Sequence, residues 1–139
     1  MILYLIPVLL AVFIVIYFRL YLFAFPHNRL VILMYHQVEK ESHEDLTVSV
    51  KDLEKQFSYL NRKKYTSYFF SELTLSAKRN IIITFDDGYR NNLEYLPSLL
   101  EKYNLKATIF IPTGFIEKGY NNYPMMSFEE IRNLDKKYF

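Results

Sequence analysis

Apolar residues run from Met1 to Phe18 without one charge and, after Arg19, resume through Phe25 and end at Pro26. At 1.5 Å per residue the uncharged run is roughly 27 Å long, against a hydrocarbon core of about 30 Å. The pattern predicts one transmembrane helix, with Arg19 snorkelling to the headgroups and Tyr17 and Tyr21 near the interface. A cleaved signal peptide normally shows a basic start, a shorter apolar stretch and a small-x-small cleavage site. Residues 1–26 therefore read as a transmembrane anchor or an uncleaved signal segment, and 27–139 as the folded part.

Beyond His27 to Arg29 the periodicity changes. Leu30 to Tyr35 is a short apolar run that predicts a buried strand, and Glu39 to Leu46 is polar and predicts a loop. Ser49 with Asp52 starts a helix to about Arg62, whose Val50, Leu53, Phe57 and Leu60 share one face. Tyr65 to Phe70 reads as a short strand and Ser71 to Ser76 as a turn or short helix. Ile81 to Phe85 is β-branched and aromatic, the mark of a strand buried on both faces. Asn91 or Asn92 is placed to cap a helix reaching Tyr103, with Pro97 awkward inside it unless the regular helix starts there, and with Asn104 as its stop. Lys106 to Ile111 predicts a further strand, and Ser127 with Glu130 opens a last helix by a capping box. Strands alternating with helices imply parallel pairing and an α/β layered or barrel fold.

The length of 139 residues allows one ordinary domain. A formal charge of +2 is too small to drive nucleic-acid binding, and with no Cys there is neither a disulfide, a thiolate metal site nor a thiol nucleophile.

In parallel α/β folds the working groups collect where strands end. Here the strands end in Tyr35-His36, in Asp86-Asp87-Gly88 and in Pro112-Thr113-Gly114. Adjacent acids on a continuing strand point to opposite faces, so both reach one site only if the chain turns at once, which Gly88 allows. Two carboxylates this close resist double ionisation unless a cation or a division of roles separates their proton affinities. The competing reading of Asp-Asp-Gly, taken alone, is an ordinary turn after a strand.

The longer string Thr84-Phe85-Asp86-Asp87-Gly88-Tyr89 resembles the first motif of the polysaccharide deacetylase (NodB-homology, carbohydrate esterase family 4) family. Ile32 to Val38, Leu105 to Phe110 and Met126 to Ile131 agree with that family in order and spacing, so the resemblance covers nearly all of 30–139. It implies a partial distorted (β/α) barrel of the NodB-homology type, preceded by the transmembrane helix. It implies a hydrolase that removes N-acetyl groups from an amino-sugar polysaccharide, with a divalent metal, usually zinc, as cofactor. Asp86 is then the general base and Asp87 a metal ligand. His36, Tyr89 and Thr113 are then placed to touch substrate or support the ligands. For His36 the competing reading is a hydrogen-bonded core histidine; His27 and His43 match no family position and read as surface residues.

Family members complete the metal site with a His-(Ser/Thr)-x-x-His motif, which does not occur in these 139 residues. The expectation is an amino-terminal part of a deacetylase domain, inactive as this chain, with a downstream complementing polypeptide as a partner beside the N-acetylated polysaccharide and the membrane. A rival of another class is a non-catalytic, membrane-anchored carbohydrate-binding or interaction protein derived from that fold. Arg19 and Arg29 favour a cytoplasmic placement of the folded part, whereas the resemblance implies the extracytoplasmic side.

Overall fold

The computed structural model describes residues 2–19, 30–42, 45–116, 118–119 and 122–139. His27, Arg29, Tyr21, the boundary at 26/27 and His43 lie outside these residues.

The run Asn80–Phe85 forms β5, and all six of its residues are buried, as expected for a strand of β-branched residues covered on both faces. It is the centre of a four-stranded parallel sheet. β1 (Leu30–Tyr35) pairs along its whole length, from Leu30 opposite Asn80 to Tyr35 opposite Phe85. The other side of β5 is shared: β4 (Thr66–Ser67) meets Asn80 and Ile81, and β6 (Thr108–Ile109) meets Thr84 and Phe85. β4 and β6 are shorter than the apolar runs around them predict. The segment expected as a plain loop is framed by two short parallel strands, β2 (Gln37–Glu39) and β3 (Thr47–Ser49).

Two helices cover one face of the sheet. Helix α2 (Val50–Arg62) starts at the predicted cap, the Ser49 Oγ accepting from the Asp52 N–H at 3.1 Å, and buries Leu53, Phe57 and Leu60. Helix α3 (Asn92–Tyr103) buries Leu96, Leu99 and Leu100 and runs through Pro97, which is exposed on its outer side, instead of starting there. Asn104 stops it in the left-handed conformation, φ 49°. These side chains meet Ile81, Ile83 and Phe85 in one core. The period of two along a strand sends Ile82, Thr84 and then Asp86 to the opposite face. On that face β1 leaves Ile32 and Met34 exposed. Helix α4 (Phe128–Arg132) carries the predicted capping box with both of its bonds.

The amino-terminal helix α1 (Ile2–Tyr17) is shorter than the expected membrane span. It has 16 residues, about 24 Å at the helical rise, and among the described residues no helix is long and apolar enough to cross a membrane. The physical reason lies at Arg19. Expected to snorkel from a continuing span, it takes φ 51° instead, and its N–H turns back to the Ile16 carbonyl at 3.1 Å, which closes the helix.

Candidate active site

The candidate site is the carboxyl end of β5. The ladder continues one step beyond the strand, where the Asp86 N–H donates to the Tyr35 carbonyl at 2.8 Å. The chain then reverses through two successive left-handed residues, Asp87 at φ 68° and Gly88 at φ 65°. The expected immediate turn is present, and it begins one residue early, on Asp87 itself. A left-handed non-glycine residue costs about 1–2 kcal/mol, and Asp is among the few types that take it. Such strain persists where the surroundings fix it. Gly88 is required twice over, by its φ and because a Cβ there would stand 3.2 Å from Ile111 Cγ1 at the end of the neighbouring strand.

The loop is fixed from the far side by a segment that sequence periodicity does not reveal. Residues 124–126 run antiparallel to it: Met126 donates to the Gly88 carbonyl at 3.0 Å and Arg90 to the Pro124 carbonyl at 2.9 Å, with a bridge between Tyr89 and Met125. The Arg90 guanidinium also reaches Glu130 Oε1 at 2.7 Å, while Glu130 Oε2 accepts from the Ser127 N–H at 2.9 Å. That N–H, with Arg90 and the Ser127 hydroxyl, holds the Glu130 carboxyl below the usual range against its partial desolvation. The cap of α4 is thus tied to the acid loop.

Asp86 and Asp87 are both half-buried. Asp86 Oδ1 is buried without a hydrogen-bond partner among the described residues, an acceptor that destabilises its surroundings until a donor, proton or cation meets it. His36 follows β1, half-buried, one residue beyond the Tyr35–Phe85 pair, which puts it alongside Asp86 at the rim. Tyr89 is 4% exposed and packs edge-on to Tyr123 at 5.8 Å, so it holds the loop from inside rather than lining an open rim. Thr113 is exposed at the start of a 3₁₀ turn, Thr113–Phe115.

Below the rim, Tyr35 stacks on Phe85 at 5.2 Å and donates its hydroxyl to Gln56 Oε1 at 2.5 Å. Burial pushes its pKa up to about 12.

Asn91 and Asn92 correct a further expectation. Asn91 stands at the cap position of α3, yet its side chain makes no capping bond there. Instead Asn91 Nδ2 donates to Gln37 Oε1 at 3.0 Å and Glu39 Oε1 at 3.2 Å, and Asn92 Nδ2 donates to the His36 carbonyl at 2.8 Å. The only sequence signal was two amide side chains in succession just after the acid motif, which caps explain equally well.

A catalytic zinc takes three protein ligands and a water. Among the described residues no group of three His, Cys, Asp or Glu side chains could hold a metal ion. These residues alone do not fit the group, and no chemical step is derived through it.

Residues 75–134 match the family model for polysaccharide deacetylases. The Bacillus subtilis (strain 168) protein YxkH, provisionally named a polysaccharide deacetylase, is 34% identical over 90 residues, which are 60% of this chain and 32% of YxkH. The Streptococcus pyogenes deacetylase PplD, solved in complex with acetate, matches with a TM-score of 0.63 at 24% identity, over 74% of this chain and 50% of its own. IcaB from Ammonifex degensii matches with a TM-score of 0.65 at 23% identity, over 74% of this chain and 46% of its own. The chain thus spans half or less of the length of these relatives. The two solved structures carry the same parallel α/β fold, and the resemblance read from the motifs is borne out over part of the chain.

Proposed function

From a chain related to the polysaccharide deacetylases over part of its length, we propose that it supplies the amino-terminal part of a hydrolase that removes N-acetyl groups from an amino-sugar polysaccharide. The observation that carries this reading is the turn itself: two adjacent acids at the tip of the central strand, the second in a strained left-handed conformation, the first with a buried oxygen that lacks a partner among the described residues. An ordinary turn needs neither feature.

In this reading Asp86 takes a proton from water as the water oxygen bonds to the acetamide carbon, and a proton returns to the nitrogen as the C–N bond breaks, leaving acetate and a free sugar amine. Asp87 would be one ligand of a divalent metal, zinc by preference, whose chemistry would be polarisation of the acetamide carbonyl. The other protein ligands have to come from outside the described residues, and the chain alone is expected to turn over no substrate. His36 and Thr113 line the sugar side of the rim. The relative PplD, bound to acetate, is in keeping with an acetyl-releasing reaction. In this reading the domain works on the extracytoplasmic side.

The test is a hybrid in which residues 30–139 of this chain replace the matching part of YxkH. It is assayed for acetate release from N-acetylglucosamine oligomers with added zinc. Activity that falls at least about a hundredfold with Asp86→Asn supports the reading; activity untouched by that change refutes it.

A further inference from the structure

The loop that carries both acids is fastened at its two ends to consecutive carbonyls of one strand end. It begins where the Asp86 N–H meets the Tyr35 carbonyl at 2.8 Å, and it ends where Asn92 Nδ2 meets the His36 carbonyl, also at 2.8 Å. Asn92 is fully buried, and its Oδ1 is buried with no partner, so its amide N–H group makes the one bond found for this side chain among the described residues. A buried side chain that leaves one polar atom unmatched needs a reason to be amide rather than apolar. Helix capping is not that reason, because α3 begins at Asn92 and no cap bond is made by the preceding Asn91.

We propose that Asn92 is a positioning residue: its amide closes the 86–92 loop onto the main chain at His36, and so fixes Asp86, Asp87 and His36 relative to one another. The significance of this clip rests on the proposed roles of Asp86 and Asp87, but its geometry does not. Asp86 is held to β1 by backbone alone. The side chain of Asn92 is what returns the far end of the loop to the same strand. Without it, the left-handed turn at Asp87 and Gly88 keeps the Asp86 bond at its start, the 124–126 segment and the Asn91 bonds, but the main chain at His36 loses its buried tether. The neighbouring bonds of Asn91 to Gln37 and Glu39 fasten the next residues along and leave this carbonyl untouched.

The test is heteronuclear NMR on the full chain in detergent micelles, unmodified and with Asn92→Ala or Asn91→Ala. The chain has only three histidines, which lets the His36 ring signal be assigned. In folded Asn92→Ala the His36 ring and the Asp87 and Gly88 amides are expected to shift, and the hydrogen-bonded Asp86 and Arg90 amides to exchange at least tenfold faster, while Ile82, Ile83 and α2 stay unchanged. Asn91→Ala is expected to leave the Asp87 and Gly88 amides in place. A folded Asn92→Ala protein that only melts earlier, with these signals unmoved, would make Asn92 merely structural and overturn the proposal. If that variant does not fold, the unmodified protein decides: slow exchange of the Asn92 side-chain amide protons supports the clip, and exchange at the rate of a free amide refutes it. None of these readouts needs turnover, so failure of the deacetylase reading would appear in the acetate assay alone.

Discussion

Asp86 is bound through its backbone N–H to the carbonyl of Tyr35 at 2.8 Å, so the first acid of the pair is an extension of the β1–β5 ladder rather than part of a free loop. The bond joins a half-buried carboxylate to a strand end whose tyrosine is stacked on Phe85. The position of the acid is therefore inherited from the core, and the conformational cost of the site falls on the next residue, Asp87.

Asp87→Gly should remove that cost. The left-handed φ of 68° suits glycine, and relief of about 1 kcal/mol is expected, seen as an unchanged or higher denaturation midpoint. Gly88→Ala should act oppositely, losing about 1–3 kcal/mol because the added Cβ meets both a left-handed backbone and Ile111. Chemical denaturation of the two variants checks the pair, and an Asp87→Gly protein less stable than the parent would show that the turn is unstrained.

Ser127→Ala should cost about 1 kcal/mol through loss of the α4 cap. The Glu130 carboxyl titrates below its ordinary range. Its contribution is accordingly present above about pH 4.5 and lost as pH falls through the lowered folded value. A melting profile between pH 6 and 3 should fall less steeply for Glu130→Gln than for the parent. Identical slopes would mean that Glu130 titrates as it does in the unfolded chain.

The Tyr35 hydroxyl, raised to about 12 by burial, gives the alkaline counterpart. A folded value above the unfolded one makes the contribution complete below about pH 10 and lost as pH rises from there towards 12. Ultraviolet titration of tyrosinate should show a last-ionising group near pH 12, later than Tyr95, whose pKa its Glu94 hydrogen bond also raises, and that last group should disappear in Tyr35→Phe. Its persistence in that variant would assign the late group elsewhere.

Sequence legibility followed the range of the interactions. The centre of the sheet was readable because Ile81 to Phe85 announces burial on both faces by composition alone, and the Ser49 and Ser127 caps because their partners lie three residues away. The left-handed stop at Asn104 was readable for the same local reason. The end of α1 was not, since a uniformly apolar run contains no local stop and Arg19 in a left-handed turn looks the same in sequence as Arg19 snorkelling. Nor were β2 and β3, whose pairing joins Gln37 to Thr47 across a polar stretch. In the candidate site the two acids and the glycine were visible as a motif. The Arg90–Glu130 pair, the 124–126 segment and the turning of Asn91 and Asn92 away from capping were hidden, because each depends on a distant partner, 40 residues away for Arg90 and Glu130 and 56 for Asn92 and His36.

The central claim assigns different work to adjacent carboxylates, and one paired measurement separates them. In the hybrid with YxkH, zinc affinity by calorimetry and acetate release are measured together for Asp86→Asn and Asp87→Asn. The account predicts that Asp86→Asn keeps zinc affinity within a few-fold while acetate release is lost, and that Asp87→Asn loses zinc affinity about 10–100-fold or more together with acetate release. Equal zinc affinity in both variants, or full acetate release from Asp86→Asn, would contradict it.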